Sequence, residues 1–198
     1  MNNRIPAITM ILVLFAATAL QASPAPEDPK KQTPWGLYVD STEAYEMKQE
    51  LGDKVLFVDV RDPIEIMFTG FTDTVDVNVP FKLANRNKWN EKKPVYAMEL
   101  NQNFEQDIAA ALKKRGLKKD APILLMCRSG GTRGAPSAKK LWGKGYKQVY
   151  VVTDGFEGGK IKKGEKKNWR LKNGWKNSGL PWSYKLNREK MYFATPAQ

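Results

Sequence analysis

Residues 122–133 of this 198-residue chain read Pro-Ile-Leu-Leu-Met-Cys-Arg-Ser-Gly-Gly-Thr-Arg. An apolar run ends abruptly in Cys127, the only cysteine. A polar Gly-Gly loop follows, and then a segment over residues 136–143 that can be helical. Strand, tight loop and helix together bind anions, because successive backbone N–H groups and a helix N-terminus converge on one concavity. A cysteine placed there is held as a thiolate, and so is a nucleophile rather than core filler. Cys127 is therefore the candidate catalytic residue. Arg128, Ser129, Gly130, Gly131, Thr132 and Arg133 are the candidate binding groups around it. The chain has no histidine, which excludes Ser-His-Asp and Cys-His catalysis. One cysteine and scattered carboxylates make no zinc ligand set, so neither metal nor cofactor is expected.

Such a loop needs a sheet to carry it. Residues 55–60 form a continuous apolar run, the pattern of a strand buried on both faces. Residues 123–126 and 148–152 read the same way, with short strand candidates at 37–39 and 75–79. Between them, helices are expected over 44–51 (with an N-cap offered by Ser41-Thr42-Glu43), 64–68, 103–115 and 136–142. Strands alternating with helices at crossover lengths predict an α/β domain with a mainly parallel sheet covered on both faces. In such sheets ligands sit beyond the carboxyl ends of the strands, where Cys127 falls. Residues 81–101 mix Trp89 and Tyr96 with Lys and Asn around Pro94. They are expected to be a long irregular insertion, more a covering loop than a lid or partner surface.

Charge is unevenly distributed. Residues 1–110 carry 11 Lys+Arg against 16 Asp+Glu, whereas residues 111–198 carry 22 against 5. A basic half suits an anionic substrate, an acidic protein partner or simply a solvated face. At the N-terminus, Arg4 precedes an apolar run over residues 8–20 and small residues suited to cleavage. Residues 1–22 are therefore expected to be a signal peptide, and the mature protein periplasmic or secreted, with no stable membrane insertion. Residues 23–34 are Pro-rich and read as a linker. Residues 35–159 form the domain, and 160–198 a basic, Trp-containing extension packed on it. Its aromatic-basic pattern is one that nucleic acid can use, but export argues against such a partner.

Three segments, taken in order, resemble the rhodanese family. Leu56-Phe57-Val58-Asp59-Val60-Arg61 resembles its strand ending in Asp-Val-Arg, and Cys127-Arg128-Ser129-Gly130-Gly131 its active-site loop. Val151-Val152-Thr153-Asp154-Gly155-Phe156 resembles its closing strand and Gly-aromatic turn. The likeness runs from about residue 34 to 158. It implies a five-stranded, mainly parallel sheet with helices on both sides and a persulfide on the loop cysteine. Two departures stand out. Gly70-Phe71-Thr72 lies where the family often has Gly-His-Ile. Arg133 follows Cys127 as Cys-x5-Arg, one residue longer than the common sulfurtransferase loop and similar to the phosphatase and arsenate reductase loops of the same fold.

The resemblance implies ping-pong sulfur transfer. Cys127 takes sulfane sulfur from thiosulfate or a related small anionic donor and passes it to cyanide or a thiol, which is covalent catalysis without a histidine base. Loop N–H groups from Ser129 to Arg133 are expected to cradle the persulfide, each worth about 2.7–4 kcal/mol in a transition state. Arg128 and Arg133 are expected to hold the donor's oxyanion, and Asp59 and Arg61 to brace the loop. Two rivals stay open. One is phosphatase or arsenate reductase chemistry on the longer loop; the other is a non-catalytic persulfide carrier that docks a partner.

Overall fold

The computed structural model describes residues 23–194; the expected signal segment, residues 1–22, lies outside them. The central sheet has five parallel strands in the order β1-β7-β6-β2-β3. They are β1 (Tyr38–Val39), β2 (Leu56–Asp59), β3 (Val77–Asn78), β6 (Pro122–Met126) and β7 (Gln148–Val152). The apolar runs of β2 and β6 alternate between two cores. Leu56, Val58, Ile123 and Leu125 pack with Phe104, Ile108 and Leu112 of α3 (Phe104–Lys114) and Leu141 of α4 (Gly134–Leu141). Phe57, Leu124 and Met126 face the other way, onto Met47 of α1 (Ser41–Leu51) and Ile66 of α2 (Pro63–Thr69). Both faces of the strands are covered, which is why their sequences are apolar throughout rather than alternating.

The cap of α1 differs from expectation. Asp40, not Ser41 or Thr42, accepts the N–H groups of Thr42 and Glu43 at 2.8 and 2.9 Å, and Glu43 returns a bond to the Asp40 N–H at 2.8 Å. This is a capping box formed one residue early. Ser41 is unavailable because its hydroxyl is buried, 2.7 Å from Asp154 Oδ1.

The larger correction concerns residues 81–101, which are not irregular. They form an antiparallel hairpin of β4 (Lys82–Asn90) and β5 (Val95–Leu100), with a register shift between Asn85 and Trp89. Pro94 lies in the turn, where its missing N–H removes no ladder bond. Trp89 and Tyr96 pair edge to face across the strands at 5.6 Å. The hairpin root is tied to α2, because Asp62, which caps that helix through Ile64 N–H, also accepts from Ala84 N–H at 2.8 Å.

The C-terminal extension is part of the body. Trp175 is fully buried among Phe57, Val152 and Phe156. Its neighbours are stitched to the turn after β7: Gly174 N–H donates to Asp154 at 2.8 Å and Trp175 N–H to Gly155 O at 2.9 Å. Farther on, Phe71 and Ser183 exchange both backbone bonds at 2.8 Å. Trp182 packs on the same core, whereas Trp169 is exposed, so the expected strapping holds for two of the three tryptophans at 169, 175 and 182. Truncating a buried Trp removes its contacts and leaves a cavity, typically costing about 3–5 kcal/mol. Trp175→Ala is expected to lower unfolding stability by that amount in urea denaturation, although it lies outside the sheet. A loss below about 1 kcal/mol would mean that the extension is dispensable.

Candidate active site

Cys127 follows directly on β6, in the middle of the sheet, at its carboxyl edge. The thiol is unpaired and 2 % exposed. The helix after the loop begins at Gly134, two residues before the expected start, so Arg133 occupies the N-cap position. Pro136 fits in the first turn because an N–H there has no helical partner to lose.

The loop is shaped by the turn after β7. Phe156 N–H donates to Cys127 O and Glu157 N–H to Arg128 O, both at 2.8 Å. This close docking requires Gly155, whose φ is +63° and whose position leaves no room for a side chain. A Cβ there would lie 2.4 Å from Cys127 O and 2.6 Å from Ser129 N. Gly130 is tied in the same way to Thr153, with φ +66° and 1.6 Å between a built Cβ and the Thr153 oxygen. Among the described residues, no backbone N–H from Ser129 to Arg133 donates to a protein acceptor. The loop therefore has a set of unpaired donors around a nucleophile, the arrangement that stabilises an anion.

The two loop arginines are already partnered. Arg133, 7 % exposed, reaches both oxygens of Glu65 through its two terminal nitrogens at 2.8 Å. Burial opposes its charge, but Glu65, Cys127 and Asp59 outweigh that, and the guanidinium is held above its usual value. Arg128 pairs through Nε with Glu157. The fork of Arg133 is therefore taken, whereas Arg128 is held only through Nε and its side chain is 41% exposed, so Arg128 alone keeps donors for an oxyanion where both arginines were expected to clamp one. Asp59 and Arg61 lie together as a fully buried pair behind the loop, with Arg61 Nε 3.0 Å from both Asp59 oxygens.

Above Cys127 opens a cleft of about 610 Å³. Cys127, Arg128, Ser129, Thr132 and Arg133 line its floor, with Glu65 of α2. Gly130 and Gly131 are not in its wall; they shape the turn beneath. One side is the β4–β5 hairpin, through Lys82, Asn90, Lys93, Val95, Tyr96 and Met98. The other side is the C-terminal extension, through Lys160 and Arg170. Six cationic side chains and one carboxylate, itself occupied by Arg133, thus surround the thiol. This balance draws small anions inward. The hairpin wall and the two basic residues of the extension were not singled out in the sequence as site residues. The basic run after residue 158 was visible, but its proximity to Cys127 depends on the chain returning to the sheet. A wider polar groove of about 1120 Å³ runs between α1 and residues 181–190. Cys127 is not among its lining residues, so it offers no comparable nucleophile.

Residues 42–162 match the family model of the rhodanese-like domain. The chain is 33% identical over 144 residues to the uncharacterized protein RP600 of Rickettsia prowazekii (strain Madrid E), spanning 73% of this chain and 94% of the relative. The RP600 homolog of Rickettsia rickettsii is 32% identical over the same shares. Among solved structures it is similar to Rv0390 from M. tuberculosis, with a TM-score of 0.52, 27% identity, and coverage of 75% of this chain and 97% of that one.

The loop geometry makes two glycines with similar φ unequal. Gly143 has φ +74° with nothing within 4 Å of a built Cβ. Gly143→Ala should cost only the left-handed backbone penalty, about 1–2 kcal/mol. Gly155→Ala should cost clearly more, since its methyl strikes the Cys127 carbonyl. Urea unfolding of both variants checks this; equal losses would contradict the docking described here.

Proposed function

We propose, from the premise that the chain belongs to the rhodanese-like domain family, that it is a sulfurtransferase working through a persulfide on Cys127. The donor is thiosulfate or a similar sulfane compound, and the acceptor cyanide or a thiol. In the first half-reaction the Cys127 thiolate attacks the outer sulfur of thiosulfate. The bond between the two donor sulfurs breaks, and sulfite leaves with its electron pair. The persulfide anion then lies against the unpaired N–H groups of residues 129–133. In the second half-reaction the acceptor attacks the outer sulfur and Cys127 leaves as the thiolate. No histidine or metal is required by either step.

The observation that carries this reading is the run of unpaired backbone N–H groups from Ser129 to Arg133 beside the Cys127 thiol. A persulfide is a small, singly charged group that backbone donors can hold. One feature favours phosphatase or arsenate reductase chemistry, namely the Cys-x5-Arg loop length. That chemistry also needs a proton donor at the leaving group. Glu65 is the carboxyl in the cleft, and both its oxygens are engaged by Arg133. Export is proposed on the apolar run at residues 8–20. An acidic partner would find the basic extension complementary.

Incubation with thiosulfate followed by intact-mass measurement is expected to show the gain of one sulfur atom. The gain should be reversed by cyanide and absent in Cys127→Ser. A protein that gains no sulfur but hydrolyses an aryl phosphate would overturn the reading. A persulfide that forms yet passes to neither cyanide nor small thiols would make the protein a carrier.

A further inference from the structure

The C-terminal extension lines the cleft through Lys160, just inside the family match that ends at residue 162, and through Arg170, beyond it. Residues 160–170 fold back as a short flap. Lys160 and Arg170 bridge at its base, and Ile161 N–H donates to Trp169 O at 2.8 Å. Arg170 Nη1 donates to Gly158 O at 2.7 Å, and its Nε stands 3.9 Å from the Glu157 oxygen that Arg128 Nε already holds. Two cations, Arg128 and Arg170, therefore share one carboxylate, that of Glu157, and a third, Lys160, stands beside them with no ion pair among the described residues. They also lie where the Cys127 cleft meets a second recess of about 420 Å³, and all three line both. The Arg170 side chain is only 21% exposed. Burial lowers the pKa of its guanidinium and repulsion from Arg128 lowers it further, and an added anion would offset that repulsion. Thiosulfate needs only the loop, whereas the 610 Å³ cleft is in the size range of small-molecule sites, about 300–1,000 Å³.

We propose that Arg170 and Lys160, with Arg128, form a second anion subsite that binds the carboxylates of a small carboxylated thiol, the sulfur acceptor of Cys127. This rests on the sulfur-transfer reading above. The acceptor thiol gives its proton to the persulfide anion, and the resulting thiolate attacks the outer sulfur. A sulfur–sulfur bond forms in the product, the bond to Cys127 Sγ breaks, and Sγ keeps the electron pair as thiolate. The extension acts as a specificity element and the loop as the reaction centre.

The test compares transfer from thiosulfate to mercaptosuccinate and to neutral 2-mercaptoethanol, using the mature chain. Arg170→Gln is expected to lower the ratio of the two kcat/KM values about tenfold, through KM for mercaptosuccinate. Arg170→Lys should retain most of the preference. Lys160→Gln, at an exposed residue with no side-chain hydrogen bond among the described residues, should lower the ratio in the same direction. A ratio unchanged in both Gln variants overturns the subsite. If the wild type takes up no sulfur, the sulfur-transfer reading fails by itself, and the subsite is tested in Cys127→Ser by titration with methylthiosuccinate, which cannot exchange sulfur. Binding weakened about tenfold by Arg170→Gln supports the subsite; no binding, or equal binding, overturns it.

Discussion

The site depends on one buried ion pair. Asp59 and Arg61 are both fully excluded from solvent. Charges in that position are tolerated only when they are paired and their remaining donors and acceptors are satisfied. Arg61 meets the condition by reaching three elements at once. Its Nε and Nη2 hold Asp59 at the end of β2, Nη1 donates to Thr69 Oγ1 at 2.8 Å, and Nη2 also reaches Gly70 O at 3.1 Å. Its guanidinium also lies 4.1 Å from the centre of the Phe156 ring. Phe156 N–H in turn holds the Cys127 carbonyl. Removing one partner would leave an uncompensated buried charge, worth about 3–5 kcal/mol. The pair thus fixes the end of α2, which carries Glu65, and the turn that carries the cysteine loop.

The electrostatics follow from that frame. Glu65 on α2 neutralises Arg133, and Glu157 after the Gly155 turn neutralises Arg128. What remains to meet an incoming anion is an outer ring of lysines and Arg170, with backbone N–H groups at the centre. Long-range attraction and local stabilisation are therefore supplied by different groups. On the proposed reading, lysines on the hairpin and the extension steer, and the loop backbone would hold the sulfur. The proposed sulfur transfer would need no proton relay, which fits a chain without histidine.

Much of this was legible in the sequence where burial is two-sided. The runs in β2, β6 and β7 are mostly apolar because most of their residues meet a core, and the Cys-Arg-Ser-Gly-Gly loop follows directly from the position of β6. The hairpin was not legible. Most of its residues are exposed, so its strands carry neither an apolar run nor a clean alternation. The Arg133–Glu65 pair joins residues 68 apart and leaves no local pattern. The same is true of Arg170, which reaches the cleft only because Trp175 and the Asp154 turn pull the extension back onto the sheet. Ser41 shows a related limit: its residue type suits a helix cap, but the demand of buried Asp154 for a donor takes precedence.

The central claim is that Cys127 accepts the outer sulfur of its donor onto a loop that holds a persulfide rather than an oxyanion. The most direct measurement uses thiosulfate labelled separately at its two sulfurs, followed by peptide mapping of the protein. The account predicts label on Cys127 from the outer sulfur alone, with the inner sulfur released as sulfite. Label from the inner sulfur retained on the protein, or outer-sulfur label on any residue other than Cys127, would contradict it.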